Sequence, residues 1–186
     1  MQLPSPAEFA RTGLSVFHAG RLLRLRAGMP LIRHRPLILW GDQSWTYARV
    51  YREAKRYAQL FREHREKAIR EGRLQKNEQL TIGLYRDNSP AYLFACFGAA
   101  LEGDLILALN TGFRGEILAK LLEQSGTPLV LTDSEHAGYL EQALDGVPQL
   151  ERDQVLVDDD EIPAGMQSLP RALDQARPTG SGRTPK

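Results

Sequence analysis

The spacing of apolar residues changes period several times along this chain. Leu37-Ile38-Leu39-Trp40 and Ser44-Trp45-Thr46, separated by Gly41-Asp42-Gln43, predict a β-hairpin. At Tyr47 the period lengthens. Tyr47, Val50, Tyr51, Ala54, Tyr57, Ala58 and Phe61, then Ala68 and Ile69, follow the i, i+3, i+4, i+7 rule of a long amphipathic helix. Glu63 with Lys67 and Glu66 with Arg70 add charge pairs on its polar side, and Gly72 supplies a stop.

Beyond Gly72 short apolar runs alternate with helical stretches. Strands are predicted at Leu80–Tyr85, Leu105–Leu109, Leu129–Thr132 and Gln154–Val157. Helices are predicted at Ala91–Leu101, after the capping sequence Asn88-Ser89-Pro90, at Arg114–Gln124, closed by Ser125-Gly126, and at Ser134–Leu144. Strand–helix–strand repeats with short connections specify an α/β fold: a mostly parallel sheet flanked by helices, here preceded by the hairpin. In such sheets, sites are built beyond the carboxyl ends of the strands.

Three segments follow. Residues 1–35 are an arginine-rich, proline-punctuated N-terminus, 36–160 the α/β unit, and 161–186 a tail with four prolines plus Gly165, Gly180 and Gly182. Within the tail, Ser168–Ala176 predicts one short helix. Leu14–Ala27 is also helical in pattern, but Arg21 and Arg24 fall among Leu14 and Phe17 while Arg26 lies on another face. A membrane-surface helix segregates its basic residues. The pattern therefore favours a helix lying on the domain with arginine stems over apolar surface, membrane-surface contact being the weaker alternative.

Charge is split along the chain. Residues 1–76 hold 16 Lys/Arg against 6 Asp/Glu, and residues 77–186 hold 8 against 17. Either the two halves attract each other, or a basic face meets an acidic partner. Nucleic acid is not the expected partner, since no helix-turn-helix, zinc-finger or RNP pattern accompanies the basic half. The single cysteine, Cys96, excludes an intramolecular disulfide and sits in an apolar helix as a small hydrophobe. The longest apolar run, Leu93–Leu101, is too short for a membrane span, and the N-terminus lacks the form of a secretory signal. A cytoplasmic protein, with peripheral membrane contact as the variant reading, is the expectation.

No G-x-G-x-x-G follows a strand and no Walker A loop is present. His18, His34, His64 and His136 are scattered, at no metal-ligand spacing, and surface or boundary positions are expected for all four. The run Asp158-Asp159-Asp160-Glu161 reads as a solvated loop. No catalytic residue and no metal ligand is assigned.

An ordered set of short motifs is more informative. Trp45-Thr46-Tyr47 opens the long helix, and Asn88-Ser89-Pro90-Ala91-Tyr92-Leu93 follows a strand. Phe97-Gly98-Ala99-Ala100, then Leu109-Asn110-Thr111-Gly112-Phe113-Arg114-Gly115 and Ser125-Gly126 come in turn. Over roughly residues 36–145 this series resembles the N-terminal region of AMP-forming acyl-CoA synthetases, above all the long- and very-long-chain group that includes the fatty-acid transport proteins.

The resemblance implies the partial N-terminal domain of an adenylate-forming ligase. Such an enzyme joins ATP and a fatty acid to give an acyl-adenylate and pyrophosphate, and then passes the acyl group to coenzyme A. ATP, Mg2+ and CoA are the implied cofactors and a fatty acid the implied substrate. In the family, a loop reading T-S-G-T-T-G-x-P-K holds the phosphates. Aligned on the terminal lysine, the degenerate segment here offers Thr179, Gly180, Ser181, Gly182 and Lys186, while Pro178 and Arg183 depart from it. The family's adenine, ribose and catalytic-lysine elements find no match, so the chain is expected to be inactive alone. A non-enzymatic scaffold or partner-binding half-domain is the competing reading. A sheet taken from a larger domain would also leave apolar surface open to self-association.

Asn110, Thr111 and Arg114 stand at a strand's carboxyl end and a helix start. Either Asn110 or Thr111 ties the turn and Arg114 pairs with Asp87 or Asp133, or Arg114 meets an anionic ligand. A lone arginine at a helix start favours the first.

Overall fold

The computed structural model describes residues 18–159 and 162–176. The segment Thr179–Lys186, which carries the predicted phosphate-loop residues, lies outside the described residues. Helix α1 (Ala19–Gly28) leads into the hairpin β1 (Pro36–Trp40) and β2 (Gln43–Thr46), whose turn places Gly41 at φ +54°. The long helix α2 (Tyr47–Arg70) follows, its N-terminus capped by the Thr46 side chain, which accepts the Arg49 N–H. The chain leaves α2 through Gly72 at φ +72°, a left-handed conformation that glycine adopts without strain.

The alternating half forms β3 (Thr81–Tyr85), α3 (Pro90–Glu102), β4 (Leu105–Ala108), α4 (Gly115–Ser125), β5 (Leu129–Thr132), α5 (Ser134–Leu144) and β6 (Val155–Val157). Its caps are those the sequence implies. Ser89 accepts the Tyr92 N–H at 3.1 Å with Pro90 in the first turn, and Gly126 closes α4 at φ +60°. All sheet pairings are parallel, in the order β4-β3-β5-β6-β7.

Within residues 161–186, helix α6 (Leu169–Gln175) forms where Ser168–Ala176 predicts a short helix, and strand β7 (Gln167–Ser168) precedes it where the sequence predicts none. The described part of that segment adds the outer strand and buries Leu169 against Leu156 and Phe61 in the core. Two residues of strand, one glutamine and one serine, have no apolar alternation to detect.

The two faces of the sheet carry separate cores. On one, Ile82, Leu84, Leu129, Leu131 and Leu156 meet α2, α3, α6 and the hairpin's Ile38 and Trp45. On the other, Tyr85, Val130, Val155 and Val157 meet Leu118 and Leu122 of α4 and Leu140 of α5. The period-2 strand geometry sends alternate side chains to the two cores, so β3, β5 and β6 read as continuous apolar runs. Each fully buried leucine or isoleucine contributes about 1.5–3 kcal/mol relative to exposure.

Helices α2 and α3 meet along a seam of small residues, Ala54 and Ala58 against Ala95, Gly98 and Ala99. A Cβ at Gly98 would lie 2.5 Å from Tyr57 Cβ, 3.0 Å from Ala58 N and 3.1 Å from Ala54 O. Two of these neighbours are backbone and cannot yield. Gly98→Ala is therefore expected to destabilise by about 1–3 kcal/mol through overpacking. Gly138→Ala, on the exposed side of α5 with nothing within 4 Å of its added Cβ, should instead gain roughly 0.5–1 kcal/mol. Urea unfolding of the two variants checks the opposite signs; equal effects would contradict the seam.

Candidate functional site

The strand order marks one place on the sheet as special. From β3 the chain first moves to β4 on one side through α3, then returns past β3 to β5 on the other through α4. The crossovers diverge at the β3/β5 junction, and the crevice outside the carboxyl ends of those strands is where ligands of open α/β sheets sit. Arg86, Asp87, Asn110, Thr111, Arg114, Asp133 and Asp158 gather there.

Each of these groups is placed by its element. Successive residues at the end of β3 point to opposite faces. Tyr85 is fully buried in the core of α4 and α5, where its hydroxyl donates to the Phe113 carbonyl at 2.6 Å. Arg86, only 8% exposed, turns toward β6 and donates through Nη2 to Asp158 at 2.6 Å. Asp158, the first of the predicted solvated acidic run, is thus a partner in an ion pair with a nearly buried side chain. Its negative charge also adds to the effect of burial in raising the pKa of Tyr57.

The turn after β4 is self-bonded. The Asn110 side chain accepts the Gly112 N–H at 2.8 Å, and the Thr111 hydroxyl donates to Asp87 at 3.1 Å. Asp133, at the end of β5, caps α5 by accepting the His136 N–H at 3.0 Å. It also contacts the His136 ring Nδ1 at 2.6 Å and accepts the Asp87 N–H at 3.3 Å. His136 corrects the expectation that all four histidines stand at the surface or boundary. It is 4% exposed and packs edge-on to the Tyr85 ring at 5.5 Å.

Arg114 keeps its structural role with different partners. Instead of Asp87 or Asp133, its Nη1 donates to the Tyr85 hydroxyl and to the carbonyls of Thr111 and Phe113, the last at 2.8 Å. Its guanidinium lies 3.8 Å from the centroid of the Tyr139 ring. Burial raises the Tyr85 phenol pKa, while Arg114 opposes that shift. The sequence marks Arg114 by its position at the helix start. Its aromatic partners, far away along the chain, carry no such mark.

Chemically, both arginines of this edge are engaged, Arg86 with Asp158 and Arg114 with Tyr85, Thr111 and Phe113, while Arg86 Nε is buried without a hydrogen-bond partner. Its described residues do not fit a triphosphate: neither Arg86 nor Arg114 is turned outward. Among the described residues no group of three or more His, Cys, Asp or Glu is placed to hold a metal ion, so none is assigned to Mg2+. Cys96 is half-buried, and burial pushes its thiol up to about 11, which fits an unreactive packing role.

Comparison with known proteins places this geometry. The family model described as AMP-binding enzyme matches residues 32–184. Long-chain fatty acid transport protein 2 of Rattus norvegicus is 27% identical over 124 residues, which is 67% of this chain and 18% of the relative. Among solved structures, an anthranilate CoA ligase in complex with anthranoyl-AMP superposes with a TM-score of 0.73 at 16% identity, over 90% of this chain and 30% of its own. Mycobacterium tuberculosis fatty acyl CoA synthetase gives 0.58 at 20% identity, over 84% of this chain and 28% of its own. The chain therefore shares their fold and spans less than a third of the length of each.

Removing the Arg114 guanidinium leaves the Tyr85 hydroxyl and the Thr111 carbonyl without their donor. Arg114→Ala is expected to lower stability by about 1–3 kcal/mol, and Arg114→Lys to recover little, because one ammonium cannot both stack on Tyr139 and reach three acceptors. Thermal and urea unfolding measure this. Unchanged stability in both variants would contradict a structural role for Arg114.

Proposed function

The chain belongs to the AMP-binding enzyme family, and from that premise we propose that it supplies the N-terminal α/β unit of a fatty-acid–CoA ligase. The overall reaction is ATP + fatty acid + CoA to acyl-CoA + AMP + pyrophosphate. The unit contributes the sheet and its helices, and turnover requires the further polypeptide that the relatives possess. The observation that carries this reading is the ordered motif set from Trp45 to Gly126 inside the family match, 32–184. The acyl substrate is a fatty acid, supported by the relative named for long-chain fatty acids and by the fatty acyl CoA synthetase among the structural neighbours.

In this reading the phosphates of ATP are held by Thr179, Gly180, Ser181, Gly182 and Lys186. The family match runs through Thr184, which supports kinship of this segment with the phosphate loop. Backbone amides and hydroxyls of such a loop bind phosphate oxygens, and a lysine offsets their charge. That the chain spans 18% of the transport protein and 28% of the synthetase supports the need for further polypeptide.

The test has two arms. The purified chain, given ATP, Mg2+, oleate and CoA, is expected to form no AMP above background. A chimera in which residues 32–184 replace the equivalent segment of the Mycobacterium tuberculosis synthetase is expected to show fatty-acid-dependent AMP formation. Steady AMP production by the isolated chain would overturn the dependence on further polypeptide. A folded chimera that binds ATP without turnover would overturn the ligase reading and favour a scaffold.

A further inference from the structure

Four elements meet around an open apolar cavity of about 240 Å³. Leu22, Leu23 and Arg26 of α1 line it together with Leu37 of β1, Tyr47 at the start of α2 and Phe97 of α3. It shares no lining residue with the carboxyl edge of the sheet. Arg26 and Tyr47 carry the two polar side chains of the lining. Arg26 forms no salt bridge among the described residues. An apolar cavity edged by a few polar groups is the form that small-molecule sites take.

Backbone contacts hold its walls apart from any occupant. Helix α1 lies so close to α3 that a Cβ at Gly20 would stand 2.7 Å from the Ala100 carbonyl oxygen. The Tyr47 and Ala48 N–H groups donate to the carbonyls of Arg35 at 3.1 Å and Arg33 at 3.0 Å, which fixes the start of α2 against the turn ahead of β1. Leu23, only 2% exposed, belongs to the same core as Val50 and Phe94. A pocket formed in advance costs little ordering when a ligand enters.

We propose that this cavity binds a small amphipathic monocarboxylate, its apolar body among Leu22, Leu23, Leu37 and Phe97 and its carboxylate on Arg26. Size sets the body. A cavity of about 150 Å³ accepts a benzene ring, so about 240 Å³ has room for one ring or a short alkyl chain. Charge sets the head. The guanidinium fork matches the two oxygens of a carboxylate, and one arginine balances one negative charge. A phosphate monoester carries about −1.5 to −2 near pH 7, and the lining offers no second cation. The Tyr47 phenol adds a hydroxyl to the wall. The inference does not depend on the ligase reading, because it places a ligand away from the β3/β5 junction.

Nuclear magnetic resonance titration of the full chain with octanoate tests it, read at the amides of Leu22, Leu23, Arg26, Leu37 and Phe97. Saturable shifts centred on these amides are expected. Octan-1-ol, with the same body and no charge, should bind roughly tenfold or more weakly. Octyl phosphate should also bind more weakly than octanoate, and acetate, which lacks the body, should not bind. Arg26→Gln should weaken octanoate by roughly tenfold or more and leave octan-1-ol unchanged. That split separates a carboxylate site from an unselective apolar cavity. Leu22→Asp should abolish octanoate binding. Both side chains are exposed, and unchanged thermal unfolding verifies that the variants fold. No saturable shift, shifts centred away from the cavity, or octanoate binding insensitive to Arg26→Gln would overturn the proposal. Octyl phosphate binding at least as tightly as octanoate would assign the site to a phosphate head and overturn it as well.

Discussion

The contact on which the rest of the structure rests is the meeting of α2 and α3 at Gly98. Helix α3 is the first crossover of the parallel sheet, and α2 can cover it closely only because Ala54, Ala58, Ala95, Gly98 and Ala99 leave no bulk between the backbones. That approach brings Phe61 and Leu60 onto Ile82 and Leu84 of the central strand. It also brings the charged end of α2 to the start of β4. Arg62 donates to Glu102 at 3.1 Å through Nε, and Arg65 pairs with Asp104, whose Oδ1 accepts the Leu80 N–H at 3.0 Å. Burial pushes the Asp104 carboxyl up, with Arg65 opposing, so this bolt owes more to fixed geometry than to Coulombic gain.

The charge split along the chain acquires its meaning in the same contacts. Arg62 with Glu102, Arg65 with Asp104, Lys67 with Asp153 and Arg56 with Asp174 each join a cation from the basic first part to a carboxylate from the acidic second part. The long helix therefore spends much of its charged face on the rest of the domain, and Lys67 finds Asp153 at 3.1 Å. Arg24, Arg26, Arg33 and Arg35 are exposed and enter none of these four pairs. Their charge is carried on the surface beside exposed leucines.

Much of this was legible because each apolar run is bounded by a residue with one local role. Ser89-Pro90 and Gly126 fix helix ends by capping and backbone freedom, so α3 and α4 are readable from sequence to within a residue or two, and α5 follows from its apolar spacing. What escaped depends on partners distant along the chain. Strand β7 exists because β6 offers a free edge to Gln167 and Ser168, and neither residue advertises a strand. His136 is buried by Tyr85, and Arg114 is held by Tyr85 and Tyr139. The carboxyl edge of the sheet was the expected location for a site on topological grounds. Its side chains bond to one another, which no spacing rule reveals.

The pairing of Arg86 with Asp158 and of Arg114 with Tyr85 makes the edge at the β3/β5 junction a frame and not itself a phosphate site. Nuclear magnetic resonance titration of the chain with Mg2+–ATP tests it most directly, read at the amides of Arg86, Asp87, Thr111, Arg114, Asp133 and His136. None of these amides is expected to shift saturably. Saturable shifts centred on Arg86 and Arg114, at unchanged fold, would contradict it and make the edge a phosphate site.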